Sequence, residues 1–207
     1  MKKLSELLVG VPVLERIGPD DRPVGRLTYD SRDAGDGDCF FAVRGTARDG
    51  HDFIPTAAAA GAAVVVCESL PGDLPEGPTY VVVENTNAAM ADMAAAFYGH
   101  PSRELELVGI TGTNGKTTTV TLLYDLVRAL GHRAGLISTV VYRIDDQSLE
   151  ATHTTPDAIR LNEMLRRMAD AGCHYCFMEV SSHAIVQQRT RGCLLYTSPS
   201  PRDISGS

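Results

Sequence analysis

The stretch GITGTNGKTTTV, residues 109 to 120, sets three glycines, a lysine and a run of threonines at the spacing of a phosphate-holding turn. Glycine lets backbone N–H groups face an anion with no Cβ in the way, and a helix N-terminus behind them adds partial positive charge. On that reading Gly112, Thr113, Asn114, Gly115, Lys116, Thr117 and Thr118 form the cradle. Lys116 would reach the terminal phosphate oxygens as the catalytic cation, and the Thr117 hydroxyl would hold a Mg2+ ion. The strict phosphate-loop pattern asks for a glycine where Ile110 stands. An ordinary glycine turn with Lys116 in solvent is the competing reading, and the Lys-Thr pair at the first turn of a helix favours the anion site.

Such a cradle needs a strand to deliver it and a helix to back it. The apolar run over 105–110 supplies the strand, and Val120, Leu122, Leu123, Leu126, Val127 and Leu130 give a helix over 116–130 closed by Gly131. A strand over AGLISTVVYRI (134–144), a turn at DDQS (145–148) and a second helix follow. Thr155 can cap that helix, Pro156 suits its first position, and Leu161, Met164, Leu165 and Met168 fall on one face before Gly172. A strand over 173–180 then carries Glu179 near its carboxyl end. The alternation predicts a parallel sheet whose ligands collect outside the carboxyl ends of its strands. There Glu179 is a candidate Mg2+ ligand, against the plainer reading of a solvated strand end.

The first half reads as a smaller α/β domain. GRLTYDS, DCFFAV, AAVVVC and TYVVVE are its strand candidates, and IPTAAAAG and NTNAAMADMAAAFYG its helices. GHPSREL (99–105) punctuates the chain and predicts a division into residues 1–104 and 105–192. CHYC at 173–176 has two thiols and an imidazole, but strand alternation would turn Cys173 and Cys176 to opposite faces, which favours a buried strand over a metal site.

Composition narrows the partners. With 26 acidic and 19 basic residues in 207, the net charge is −7, which argues against an extended nucleic-acid or anionic-membrane surface. No apolar run is long enough to span a membrane, and the N-terminal MKKLSELLVGVPVLERIG is broken by Glu6 and Glu15, unlike a signal peptide. Five cysteines without framework spacing fit a reducing compartment. The expectation is a cytoplasmic protein that binds a small phosphorylated molecule.

Taken together, YDSR (29–32), DGHDFI (49–54), GITGTNGKTTT (109–119), THTTPDA (152–158) and MEVSSHAIVQQR (178–189) resemble the Mur ligases. The resemblance runs from about residue 20 to Arg191. TTPDA and MEVSSHA narrow it to the branch that adds the third residue of the peptidoglycan stem peptide, whereas the phosphate loop alone would also admit folylpolyglutamate synthetases. It implies ATP and Mg2+ as cofactors, with UDP-N-acetylmuramoyl-L-Ala-D-Glu and an amino acid, diaminopimelate or lysine, as substrates. The carboxylate would take the γ-phosphoryl group and the acyl phosphate would be attacked by the amine, in a monomeric enzyme.

By the same resemblance Tyr29 and Ser31 lie near the nucleoside, with Thr46, Ala47 and Arg48 in a neighbouring loop. A plain polar turn at YDSRDAGDGD is the alternative. Thr154, Thr155, Ser181, Gln187 and Arg189 are assigned to the muramoyl peptide, and the threonines could equally cap a helix, the two roles being compatible. Arg189 could fork onto a carboxylate or diphosphate or remain a solvated surface residue, and His183 is read as structural. After Gly192 the chain turns polar and rich in proline and serine, so residues 193–207 are expected to be foreign to the fold. The family's downstream carbamylated lysine, a metal-binding histidine and the amino-acid-reading domain are then missing. The expected architecture is a small N-terminal α/β UDP-substrate domain followed by an incomplete phosphate-loop ATPase domain, inactive by itself. A non-catalytic nucleotide-binding module is the alternative function; a GTPase is disfavoured for want of an Asn-Lys-x-Asp motif.

Overall fold

The computed structural model describes residues 1–19, 21–45, 48–151 and 153–196. The chain divides into two compact units, Met1–Gly99 and His100–Ser207. The division falls just before the turn Pro101–Arg103 rather than at residue 104, because that turn packs on a helix of the second unit.

The first unit contains β1 (Lys2–Lys3), α1 (Leu4–Leu7), β2 (Val13–Ile17), β3 (Pro23–Val24), β4 (Arg26–Thr28), β5 (Asp38–Phe41), α2 (Ile54–Ala59), β6 (Val64–Cys67), β7 (Thr79–Val83) and α3 (Thr86–Phe97). Its main sheet has the order β2-β7-β6-β5-β4. The last four of these run parallel, and β2 lies antiparallel on the β7 edge. Parallel strands covered on both faces need unbroken apolar runs, and Val64–Cys67 and Thr79–Val83 are buried throughout. Phe40, Val65 and Tyr80 meet Ile54 and Ala57 of α2 on one face. Helix α3 packs on β6, capped by Asn85, whose side chain accepts from Ala88 N at 2.8 Å. Edge strand β2 carried no sequence signal because four of its five residues are exposed and no alternation marks an inner face.

The second unit contains β8 (Glu106–Ile110), α4 (Lys116–Ala129), β9 (Ala134–Ile137), β10 (Val141–Ile144), β11 (Gln147–Glu150), α5 (Ala158–Asp170), β12 (Tyr175–Glu179) and α6 (Ser182–Val186). The sheet order is β11-β10-β9-β12-β8, with β9, β12 and β8 parallel. Helix α4 covers one face through Val120 and Tyr124 against Leu136 and Phe177. Helix α5 covers the other through Leu161, Met164, Leu165 and Met168. Gly135 makes that contact possible: a Cβ there would lie 2.3 Å from Met168 Sδ.

The single strand expected over 134–144 is instead a hairpin. The Ser138 hydroxyl donates to Val141 O at 2.8 Å and accepts from Val141 N at 3.1 Å, folding the chain so that β10 returns antiparallel to β9. The next turn is confined to Asp145–Asp146, and Gln147 and Ser148 belong to β11. Asp145, at φ +52°, tolerates the left-handed turn and is held by Arg128 and Arg133. The helix after residue 155 starts later than expected, because Asp157, not Thr155, caps it by accepting from Arg160 N at 2.9 Å.

Cys173 and Cys176 were expected on opposite faces, but both join the α5 core. Cys173 precedes the first residue of β12, so strand alternation does not apply to it. Burial raises the pKa of both thiols. Residues 193–196, set apart on composition, take part in the fold: Cys193 and Leu195 pack on the α5 core and Tyr196 N donates to Leu107 O at 2.8 Å. Among the described residues no helix is long and apolar enough to cross a membrane.

Candidate functional site

The candidate residues fall into two groups, one in each unit. In the second unit three parallel strands end side by side, and each feeds a loop with a polar task. From β8 the chain enters Thr111–Gly115. Gly115, at φ +81°, caps α4 without a side-chain hydrogen bond, which leaves the first N–H groups of a 14-residue helix facing outward. Gly112 is also in positive φ, at +144°, a conformation that side chains strain to adopt. Lys116 folds over this loop, its Nζ donating to Gly112 O at 2.7 Å and reaching Thr113 O at 3.4 Å. Thr117 is half-buried on the first turn, and Thr113, Asn114 and Thr118 are exposed.

Central strand β12 ends at Glu179, whose register partner on β8 is Ile110, one residue before the loop. The Glu179 side chain is 1% exposed, yet it is not bare. Oε1 accepts from Thr139 N at 2.8 Å, and Oε2 lies 3.3 Å from Thr139 Oγ1. Thr139 stands in the hairpin turn after β9, inside what the sequence presented as a strand. Periodicity gave it no signal, and only the folded turn brings it to Glu179.

The residues assigned to a second ligand connect to Glu179 through its main-chain carbonyl and through Thr139. Buried Thr155 donates its hydroxyl to Glu179 O at 2.8 Å and accepts from Ser181 N at 3.1 Å. Thr154 Oγ1 lies 3.2 Å from Thr139 Oγ1. Ser181 caps α6 by accepting from Ala184 N at 3.2 Å. Arg189 donates through Nε and Nη2 to Gln187 Oε1, at 2.9 and 2.7 Å, and through Nη1 to Thr155 O. Thr154, Thr155, Glu179, Ser181, Gln187 and Arg189 are therefore one connected set of polar groups. His183 is exposed on α6 and joins none of these bonds.

The group fits a nucleotide and a cation in its chemistry. An uncapped helix start behind glycines suits phosphate, and a buried carboxylate with one loosely held oxygen, beside a hydroxyl-bearing first turn, suits a hard divalent cation.

In the first unit the loops after β4 and β5 carry the remaining candidates. Tyr29 is 46% exposed and Ser31 half-buried. The turn that presents them is built by Thr28, whose hydroxyl oxygen accepts from Asp30 N at 3.1 Å, and by Asp30, which accepts from Arg32 N at 3.0 Å. The Arg32 guanidinium, then its backbone N–H, hold the Asp30 carboxyl down to about 2. Arg48 is exposed and its carbonyl accepts from Gly45 N at 2.9 Å, while Thr46 and Ala47 lie outside the described residues. The far side of that loop is tied down by groups assigned no role from the sequence, two of them within DGHDFI. His51 Nδ1 lies 2.6 Å from Asp49 Oδ1, and its Nε2 accepts from Glu68 N at 2.9 Å. Glu68 in turn pairs with Arg44 at 3.0 Å and accepts from Thr86 N at 3.0 Å.

Two family models match the chain: the Mur ligase family catalytic domain over residues 23–98 and the Mur ligase middle domain over residues 110–198. A UDP-N-acetylmuramoyl-L-alanyl-D-glutamate–2,6-diaminopimelate ligase from Bacteroides fragilis is 50% identical over 190 residues, covering 92% of this chain and 39% of that protein. The Chlorobium phaeobacteroides protein of the same name is 43% identical over 198 residues, covering 94% and 39%. A solved structure of a ligase of that name superposes with a TM-score of 0.72 at 26% identity, over 89% of this chain and 38% of that one. MurF from Acinetobacter baumannii shares the fold, with a TM-score of 0.60 at 21% identity over 87% and 36%. The chain thus spans about two-fifths of the length of these relatives. Both units, matched by adjoining models of one family and by relatives that align across each, belong to the Mur ligase family.

Proposed function

We propose that this chain is the UDP-substrate-binding and ATP-binding part of a cytoplasmic, monomeric ligase that joins diaminopimelate to UDP-N-acetylmuramoyl-L-Ala-D-Glu in peptidoglycan synthesis. The observation that carries the reading is the position of Glu179. It sits one strand from the Lys116 loop and within a single hydrogen-bond network with Thr154, Thr155, Ser181, Gln187 and Arg189. A phosphate site beside a second polar site is what transfer from one bound molecule to another requires. The choice of diaminopimelate rather than lysine follows the names of the relatives.

Bound ATP supplies the γ-phosphoryl group that makes the dipeptide carboxylate electrophilic. The work of the chain's own residues is to position and to neutralise charge. Gly112 to Thr118 present main-chain N–H groups and the start of α4 to the phosphates. Lys116 exchanges the carbonyls of Gly112 and Thr113 for phosphate oxygens. Thr117 and Glu179 hold Mg2+. Thr154, Thr155, Ser181, Gln187 and Arg189 hold the muramoyl peptide with its carboxylate toward Lys116, and Tyr29, Ser31, Thr46, Ala47 and Arg48 bind the uridine nucleotide. The amine then forms the amide bond and loses a proton as phosphate leaves.

The test is a chimera in which residues 1–192 replace the matching segment of the Bacteroides fragilis relative. Phosphate release should require the UDP-muramoyl dipeptide and rise when diaminopimelate is added. Release indifferent to both would leave a nucleotide-binding module or a plain nucleotidase and sink the ligase reading.

A further inference from the structure

Thr139 belongs to no motif, yet it is the hinge of the polar network. It is exposed in the turn Ser138–Val140, so it fills no core position. Its backbone N–H fixes Glu179 Oε1 at 2.8 Å. Its hydroxyl oxygen stands 3.3 Å from Glu179 Oε2 and 3.2 Å from Thr154 Oγ1. The two kinds of donor behave differently: a main-chain N–H in a tight turn cannot swing away, whereas a hydroxyl rotates about its C–O bond and has one proton to give. Oε1 is therefore clamped, and Oε2 is the oxygen that a cation can claim.

We infer that Thr139 is a positioning residue that aims the Glu179 carboxylate at a divalent cation and relays the cation's arrival to Thr154. With no cation bound, the hydroxyl donates to Oε2. When a cation takes Oε2, the proton turns to Thr154 Oγ1, and Thr154 must then direct its own proton outward, toward whatever acceptor occupies the neighbouring site. Acidic or phosphorylated ligands meet that donor, so cation binding and anionic-substrate binding favour one another through one rotatable bond. The inference rests on the reading of Glu179 as a cation ligand, and no covalent step is involved.

The test uses the 207-residue chain and Mn2+ alone, counted by loss of the free-ion EPR signal. Thr139→Val keeps the backbone N–H and removes only the hydroxyl; it should weaken Mn2+ binding about tenfold, at the lower end of outer-shell effects, while Thr139→Ser returns it to within about twofold. Thr154→Val should reproduce part of the loss, and the double variant should bind no more weakly than Thr139→Val. Parent-like binding by Thr139→Val, failure of Thr139→Ser to restore it, or losses that add in the double variant would overturn the relay. Glu179→Gln separates the two layers of the argument. If it abolishes uptake while Thr139→Val does not, only the role of Thr139 fails. If it leaves uptake unchanged, or the parent chain takes up no Mn2+, the cation reading of Glu179 fails and the relay with it.

Discussion

Lys116 Nζ sits between two loop carbonyls, a place that costs it little to leave once phosphate oxygens compete, since a charged partner makes the stronger hydrogen bond. In the chimera, Lys116→Ala should therefore lower turnover by at least about three factors of ten, each worth about 1.4 kcal/mol of transition-state stabilisation. The affinity for the UDP substrate, measured by titration calorimetry, should stay near that of the parent; near-normal turnover would remove Lys116 from its role. Asp30 makes a prediction about pH. Its carboxyl is held at about 2 in the folded chain against its ordinary 3.8, so its stabilisation is present above about pH 4 and lost as pH falls through about 2. The urea midpoint of the parent should exceed that of Asp30→Asn at pH 6, and the gap should close toward pH 2. A gap that is independent of pH would show that Arg32 does not act through the charge. At this scale the sequence offers a reading where a residue's type and its neighbours carry the chemistry, as proposed for Lys116 and Thr117. Thr139 and Glu68 were invisible because their importance lies in partners up to 40 residues away.

Among the elements, the long apolar strands and helices were legible because their periodicity and burial agree. The departures were at turns, where one hydroxyl or carboxylate decides. AGLISTVVYRI has the β-branched composition of a single strand, and composition cannot register that the Ser138 hydroxyl closes a turn on Val141. Thr155 before Pro156 looks like a helix start, but its hydroxyl is committed to Glu179 O and Ser181 N, so capping passes to Asp157. Asp157→Ala should accordingly cost about 1 kcal/mol of stability in urea unfolding, the usual worth of an N-cap. An unchanged midpoint would mean that α5 is fixed by its apolar face alone.

For the whole molecule, the division at Gly99 makes each unit answerable by itself. Met1–Gly99 has its own sheet and a core around Phe40, Ile54, Val65 and Tyr80, and roughly 100 residues is ample for independent folding. Expressed alone, it should unfold in one cooperative urea transition and show dispersed amide resonances; a collapsed spectrum would mean that its core is completed elsewhere. The central claim is that the phosphate loop serves to activate a carboxylate, and an isotope measurement reaches it most directly. The chimera is given ATP, diaminopimelate and UDP-muramoyl dipeptide carrying oxygen-18 in its carboxylates, and the phosphate released is analysed by mass spectrometry. If the carboxylate attacks the γ-phosphorus and the amine later expels phosphate, one labelled oxygen must leave with each phosphate. Singly labelled phosphate in step with amide formation is the predicted result, and unlabelled phosphate would contradict the account.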